Sequence, residues 1–287
     1  MTRNTSKAAL HPVGRLALCI LGLVIGERAF AVANPFPAPA CASVFSGSQR
    51  HPIDDACGSD GDGTTDAKKA ESRAKNNLCG MGGSDPVSVT FATFKALQKE
   101  ANDRKDKDIP SGSSSSLPPD RAVLASLVKA PNGKRVGEGS VIRLVAFLLD
   151  AHHSNVSSGE AVNCKKGGKP NNDIHIALVA TKGEDDMCTS LTAEMIPHYR
   201  PKEWEALDGA KIDRPVRVTG QLFFDASHSP CSGNKRPSPQ RASIWEIHPV
   251  DAFDVCKFKS LAACPANKES AWVPLDQWIG TEDQEEE

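Results

Sequence analysis

PVRVTGQLFFDASHSPCSGNKRPSPQRASIWEIHPVDAFDVC, residues 215–256, is the stretch from which the fold is read. Its first run alternates. Val216, Val218, Gly220, Leu222 and Phe224 share one parity, and Arg217, Thr219, Gln221 and Asp225 take the other. A period of two with one apolar parity is the mark of a strand with one face in a core. In the second run Trp245 and Ile247 alternate with Glu246 and His248. Pro249 has no N–H to give to a ladder, which suits a strand end, an edge or a bulge. Between the runs, residues 227–240 are rich in Ser, Pro, Gly and Asn. The reading is a wide hairpin whose tip, with Lys235, Arg236 and Arg241, is basic and mobile.

Working upstream, SVIRLVAFLLD at residues 140–150 is apolar and β-rich, a buried strand. DIHIALVAT at 173–181 alternates, with Ile174, Ile176 and Leu178 opposite Asp173, His175 and Ala177. Residues 190–196 read as a third strand or the start of a helix. Residues 201–207, around Trp204, read as a short helix that ends near Gly209. Three strands, a short helix and two more strands is the order of the five-stranded Greek-key barrel, the OB-fold. A two-sheet sandwich is the alternative. The expected class is mainly β with a few helices (α+β), a C-terminal OB-like barrel after a disulfide-containing helical and loop region.

The N-terminal part has its own grammar. Arg3, Lys7 and Arg15 precede the short apolar run LALCILGLVIG, and small residues follow at Ala29, Ala31 and Ala33. That is a secretory signal pattern, too short for a confident span. Residues 1–33 are therefore expected to be a signal peptide. Residues 34–119 form a cysteine-containing region with one helix, 120–264 the barrel and 265–287 an acidic tail. The helix is read at 88–104, where Phe91, Phe94, Leu97, Gln98 and Ala101 fall at helical spacing. PSGSSSSLPP at 110–119 reads as a linker.

The chain has 34 Lys and Arg against 36 Asp and Glu, a net charge of −2. Loss of the leader removes Arg3, Lys7, Arg15 and Arg28 but only Glu27, so the mature chain is more acidic still. This balance argues against a general nucleic-acid coat. Of the 9 cysteines, Cys19 lies in the leader. Cys41, Cys57, Cys79, Cys164, Cys188, Cys231, Cys256 and Cys264 remain, an even set that suggests disulfides in an oxidising, secreted or periplasmic setting. Such a set allows about a hundred pairings. Short-range bridges are expected, Cys164 with Cys188 and Cys256 with Cys264, the other two drawn from Cys41, Cys57, Cys79 and Cys231. No pair has the C-x-x-C spacing of a zinc ribbon or a thioredoxin-type site.

Asp173-x-His175 and Glu246-x-His248 place a carboxylate and an imidazole on one strand face, about 6–7 Å apart. Asp225 and His228 end the strand beside the second pair, and Glu194 lies between. Asp173, His175, Glu194, Asp225, His228, Glu246 and His248 are thus the candidate metal ligands. Carboxylate with neutral imidazole suits a divalent metal such as zinc, or manganese or iron. Solvated polar residues on an outer strand face, or a structural network of Glu246 and His248 with Arg241 and Ser243, are the plainer reading. Lys235, Arg236 and Arg241, with Lys165, Lys166 and Lys169, are candidate ligand-binding cations around a positive rim. Asp54, Asp55, Asp60, Asp62 and Asp66 superficially match a calcium loop but lack its Glu at the twelfth position, where Ser72 stands. P-loop and G-x-S-x-G patterns are absent.

DIHIAL, TAEMIP, VRVTGQLFFDASH and WEIHPV, across residues 141–256, resemble motifs of poorly characterised exported bacterial proteins. Those proteins carry a C-terminal W-E-I-H-P-V or G-x-E-x-H-P-V element. The resemblance implies an OB-like barrel and no particular activity. Staphylococcal-type nucleases share that barrel, but their arginine and acidic pattern has no counterpart here. Two functional expectations follow. One is an exported binding module for an oligosaccharide, a nucleic acid or a protein. The other is a metal-dependent hydrolase, nuclease-like, built on His175, His248 and nearby carboxylates. Whether the chain is an enzyme, its cofactor and its oligomeric state stay open.

Overall fold

Alternating runs with one apolar face must find partners for both their backbone edges and that face, and here they do so by closing on themselves. The computed structural model describes residues 47–78, 85–113, 116–118 and 120–279. Two helices come first, α1 (Pro52–Ala56) and α2 (Asp66–Lys75). A short strand β1 (Val87–Val89) runs into α3 (Phe91–Arg104). A 3-10 turn at Arg121–Leu124 and a small ribbon of β2 (Val128–Lys129) and β3 (Arg135–Val136) follow. Then come the long strands β4 (Val141–His153), β5 (Ile174–Val179), β6 (Leu191–Met195), β7 (Pro215–Phe224) and β8 (Trp245–Cys256). A 3-10 helix, Lys202–Leu207, joins β6 to β7, and β9 (Trp272–Pro274) pairs with the end of β8.

Strand order is β4-β5-β6-β8-β7, and β7 pairs back onto β4. The five strands therefore make a closed barrel with no free edge between them. Every barrel pairing is antiparallel except β6 with β8. This is the OB-like connectivity expected from the order of strands and helix. Closure needs one strand to serve two neighbours. β4 does so: Val141 to Phe147 pair with β7, and Phe147 to His153 pair with β5, with a register shift between Leu148 and Asp150. Such a bulge bends a strand round a corner. The second corner lies at Gly220, where the β7–β8 register also shifts. A Cβ there would stand 2.4 Å from the Pro249 carbonyl oxygen, so only glycine lets the two backbones approach. β8 passes through Pro249 and runs on to Cys256, six residues beyond the expected end.

Ile142, Leu144, Ile176, Leu178, Ala193, Met195, Val216, Val218, Leu222, Phe224, Trp245 and Ile247 fill one continuous core. Helix α3 joins it through Phe94, Leu97 and Ala101, at the expected spacing. Trp245 Nε1 donates to the Leu97 carbonyl at 3.1 Å. Gln98 Oε1 accepts from Ile244 N at 2.9 Å and from Ser243 Oγ at 3.2 Å. The stripe is apolar except at Gln98, which satisfies the backbone where β8 begins.

Among the described residues the disulfides are Cys57–Cys164, Cys188–Cys231 and Cys256–Cys264. The last is the short-range bridge expected. The expected Cys164–Cys188 bridge is not formed. Cys164 instead reaches Cys57, 107 residues earlier, because the β4–β5 loop lies against the N-terminal segment. Cys188 takes Cys231, which ties down the β7–β8 loop. Cys41, Cys79, residues 1–33, where the signal peptide is expected, and residues 280–287 lie outside the described residues. No helix among the described residues is long and apolar enough to cross a membrane.

Candidate functional site

The parity opposite the core on β5, β6 and β8 carries His175, Glu194, Glu246 and His248. On an ordinary barrel this face would be wet. Here it is covered. α2 and the residues after it lie over β7: Gln221 Nε2 donates to the Ala74 carbonyl at 2.7 Å, and Asn77 Nδ2 donates to Gln221 Oε1 at 2.5 Å. The Cys57–Cys164 bridge fixes the same segment to the β4–β5 loop. Glu194, Glu246 and His248 are consequently buried, where a solvated face was the plainer expectation. The covering of an outer face is a long-range event with no local mark in the strands themselves.

At the centre are Asp173, Glu194 and His248, which are 0, 2 and 0 % exposed. Asp173 stands just before β5, Glu194 on β6 and His248 on β8, neighbours across the sheet. One donor atom from each lies within 4.8 Å of the others. His248 Nε2 is 3.7 Å from Asp173 Oδ2, and Nδ1 is 2.8 Å from Glu194 Oε2. Neither ring nitrogen nor Asp173 Oδ2 makes a directed hydrogen bond. Leaving a buried polar atom unpaired costs about 1–3 kcal/mol, so three together are unusual. Asp173 Oδ1, by contrast, accepts from Asn163 Nδ2 at 2.9 Å.

Toward the opening, His175 Nε2 is 2.9 Å from Ser154 Oγ and 3.0 Å from Glu160 Oε1, and its Nδ1 is 3.7 Å from Glu194 Oε1. Glu194 thus stands between the two histidines. On the other flank Arg241 donates to Asp225 at 3.1 Å and to Glu246. His228 Nδ1 pairs with the same Asp225 carboxylate. Lys75 comes down from α2 with its ammonium 5.4 Å over the Phe223 ring.

These charges set one another. Burial pushes the His175 imidazole down, but Glu194 and the hydrogen-bonded Glu160 outweigh it and raise it to about 9. Burial likewise opposes the charge on His248, and the Glu194 and Glu246 carboxylates raise it to about 10. Burial and the negative charge of Glu160 push Asp173 up to about 8. Burial acts upward on Glu160 too, but the hydrogen bond and charge of His175 hold it at about 2. Asp225 is held well below the usual carboxylate range, against burial, by His228, Lys75 and Arg241. Burial disfavours the Lys75 charge, yet Glu194, Asp225, Glu246 and Glu71 keep it well above the ordinary lysine value. Displaced ionisation of this kind gathers at functional sites and in structural ion networks alike.

Above the cluster is a cavity of about 710 Å³, lined among others by Lys68, Lys75, Glu160, His175, Glu194 and Arg241. It opens between α2, the β4–β5 loop and the β7–β8 loop, over β5 and β6. Comparison with protein-family models, with curated proteins and with solved structures finds no match. The closed barrel is what the resemblance of the W-E-I-H-P-V run implies; no family model matches that element.

The seven candidate ligands fall into two groups. Asp173, His175, Glu194 and His248 come together, with Glu160. Asp225, His228 and Glu246 gather round Arg241. The two clusters of at least three potential metal ligands found among the described residues, Glu160/Asp173/His175 and Asp173/Glu194/His248, include neither Asp225 nor His228. Glu246 touches the first group only through Oε2, 3.7 Å from His248 Nδ1. Arg241 is not a rim cation: it is 1 % exposed and spends its charge on Asp225 and Glu246. Arg236 pairs with Asp186 at 2.7 Å, Lys165 with Asp62 at 2.7 Å and Lys169 with Asp208 at 2.5 Å, while Lys235 is exposed. The acidic run does not gather round a cation site either. Asp54 meets His198, Asp55 meets Arg50 and Asp60 meets Arg73. Glu160, Ser154 and Lys75 were not foreseen. Glu160 and Ser154 lie in an irregular loop, and Lys75 sits on a helix whose apolar members are only Ala67, Ala70 and Ala74.

Proposed function

We propose that the protein is an exported binding module, and that its ligand occupies the cavity over β5 and β6. The position of the cavity carries this reading. OB barrels take ligands on the face of their second and third strands, between the first and the fourth connecting loops. The cavity stands there, and at about 710 Å³ it has the size of a small-ligand site. The three disulfides among the described residues and the leader-like N-terminus support export.

The lining points to a ligand rich in hydroxyl groups, an oligosaccharide, rather than a polyanion. Carboxylates, imidazoles and ammonium groups alternate around the wall, offering donors and acceptors together. A nucleic acid would need an unopposed positive stripe, and Lys165, Lys169 and Arg236 each have an acidic partner instead.

Thermal unfolding of the wild type and of Thr192→Trp, which fills the cavity from its β6 wall, tests the reading. The probes are a set of neutral oligosaccharides and a single-stranded oligonucleotide. At a hundred times its dissociation constant a ligand adds about 2.7 kcal/mol of stability, which raises the Tm by roughly 5–11 °C for a chain of this size. At least one oligosaccharide should do so in the wild type and none in the folded variant. A shift with the oligonucleotide alone, an equal shift in the variant, or no shift with any sugar would overturn it.

A further inference from the structure

We propose that Asp173, Glu194 and His248 hold a divalent transition-metal ion, zinc, beneath the cavity. The proposal concerns the buried centre alone and does not depend on which ligand the cavity takes. It rests on three observations that a purely structural ion network leaves unexplained.

The first is convergence. Three ligating groups, Glu194 on β6, His248 on β8 and Asp173 at the residue before β5, bring one donor atom each within 4.8 Å of one another, all buried. The second is the set of orphaned atoms. His248 Nε2, Asp173 Oδ2 and Glu246 Oε2 are shut away from water without a directed hydrogen bond, and His248 Nδ1 has only its ion-pair contacts, with Glu194 Oε2 at 2.8 Å and Glu246 Oε2 at 3.7 Å. A structural histidine buried among acids would normally donate along its N–H bonds. One cation can take a single ring nitrogen of His248 together with one oxygen each of Asp173 and Glu194. The third is orientation. Asn163 Nδ2 occupies Asp173 Oδ1 at 2.9 Å, which leaves Oδ2 facing His248 Nε2 at 3.7 Å. An outer hydrogen bond that holds one carboxylate oxygen so that the other can ligate is the usual support of a metal ligand.

The neighbouring cluster, Glu160, Asp173 and His175, shares Asp173 but is a poorer seat. Its histidine already has Ser154 and Glu160 as partners at Nε2. The inner group is therefore assigned as the site and His175 as a residue outside it. Two carboxylates and one imidazole balance a double positive charge. They give the mixed nitrogen and oxygen set that zinc accepts with one further position free. Among divalent ions, zinc is held more tightly than manganese or iron(II) by such donors.

The test uses the metal alone. Full-length mature protein is stripped with a chelator, dialysed and titrated with zinc chloride in a calorimeter, with elemental analysis of the refilled protein. One equivalent should bind and the Tm should rise. Asp173→Asn and Glu194→Gln, both nearly isosteric, should each weaken zinc at least a hundredfold. His175→Gln should stay within about threefold of wild type. Far-UV circular dichroism confirms that each variant is folded. Cobalt(II) added to wild type gives a second readout, since d–d bands of a tetrahedral or five-coordinate ion should appear and be lost in Glu194→Gln. No stoichiometric zinc in the wild type would overturn the proposal. So would wild-type affinity in both folded isosteric variants, or a loss in His175→Gln as deep as theirs. A zinc-binding protein that ignores every oligosaccharide would sink only the proposed function, and a sugar-binding protein that ignores zinc would sink only this proposal.

Discussion

Arg241→Met probes whether the flank of the site is a true buried ion network. The guanidinium is 1 % exposed and serves Asp225 at 3.1 Å and Glu246, themselves 1 and 0 % exposed. Methionine keeps most of the packing volume and removes the charge. Two carboxylates then stay behind, Asp225 beside His228 and Lys75, and Glu246 with His248 Nδ1 at 3.7 Å. Breaking a buried pair from one side costs about 3–5 kcal/mol, or a Tm fall of roughly 6–20 °C for a domain of this length. The triple change Arg241→Met, Asp225→Asn, Glu246→Gln removes both stranded charges and should recover at least half of the loss. The pH dependence has a definite sign. Asp225 is held below its ordinary value in the folded protein, so its contribution is complete above about pH 4 and is lost as pH falls through the folded value. Without Arg241 its pKa rises. The stability gap between wild type and variant should therefore be widest near about pH 7.5 and narrow as the pH falls. Urea unfolding followed by far-UV circular dichroism at a series of pH values reads all three. A single variant within about 1 kcal/mol of wild type, a triple variant no better than the single, or a gap that widens on acidification would refute the reasoning.

Two further outcomes are expected. Trp245→Ala should cost about 3–5 kcal/mol in urea unfolding, because the ring is buried against Phe224 at 5.0 Å and its N–H holds the Leu97 carbonyl of α3; a cost below about 1 kcal/mol would mean the ring is not part of the core. Replacing Cys57 and Cys164 together by serine opens a loop spanning 107 residues and should destabilise the protein by about 2–5 kcal/mol, so an unchanged urea midpoint in the double variant would show that the N-terminal segment is not held through that bridge.

The barrel was legible because its strands announce themselves two residues at a time. Val216 to Leu222 alternates, Phe223 being the apolar exception on the opposite parity, and Val216, Val218, Leu222 and Phe224 all lie in the core. The order of strands and helix then left few ways to connect them. Gly220 stood in the alternation without a reason; the structure supplies one, since the Pro249 carbonyl occupies the space of a side chain. The parity opposite the core was legible as chemistry but not as environment. Glu246 and His248 on a strand look the same whether the face is wet or covered. What covers it is α2, with the sequence DAKKAESRAK, whose buried member is Ser72 and whose Lys75 reaches into the charge cluster. Its apolar members are the alanines Ala67, Ala70 and Ala74, whose spacing says nothing of a charged Lys75 reaching into a polar cluster. The expected Cys164–Cys188 bridge failed for a related reason, while the short-range Cys256–Cys264 bridge formed: Cys57 and Cys164 are close because that segment lies over the barrel.

The same fact bears on what the working unit is. A barrel alone could bury Trp245 and Ile247 but would leave Glu194, Glu246 and His248 to water, where their charges would cost little and mean little. The segment 57–77 changes that. It brings Lys75 over Phe223, bonds Gln221 through Ala74 and Asn77, and is fastened at Cys57 to the loop that carries Glu160 and Asn163. Removing water raises the strength of every charge interaction beneath it. It also leaves His248 and Asp173 without the solvent partners they would otherwise use. The N-terminal segment and the barrel are therefore two walls of one cavity, and the charged residues beneath it, Glu194 on β6 and Glu246 and His248 on β8, are buried with both in place.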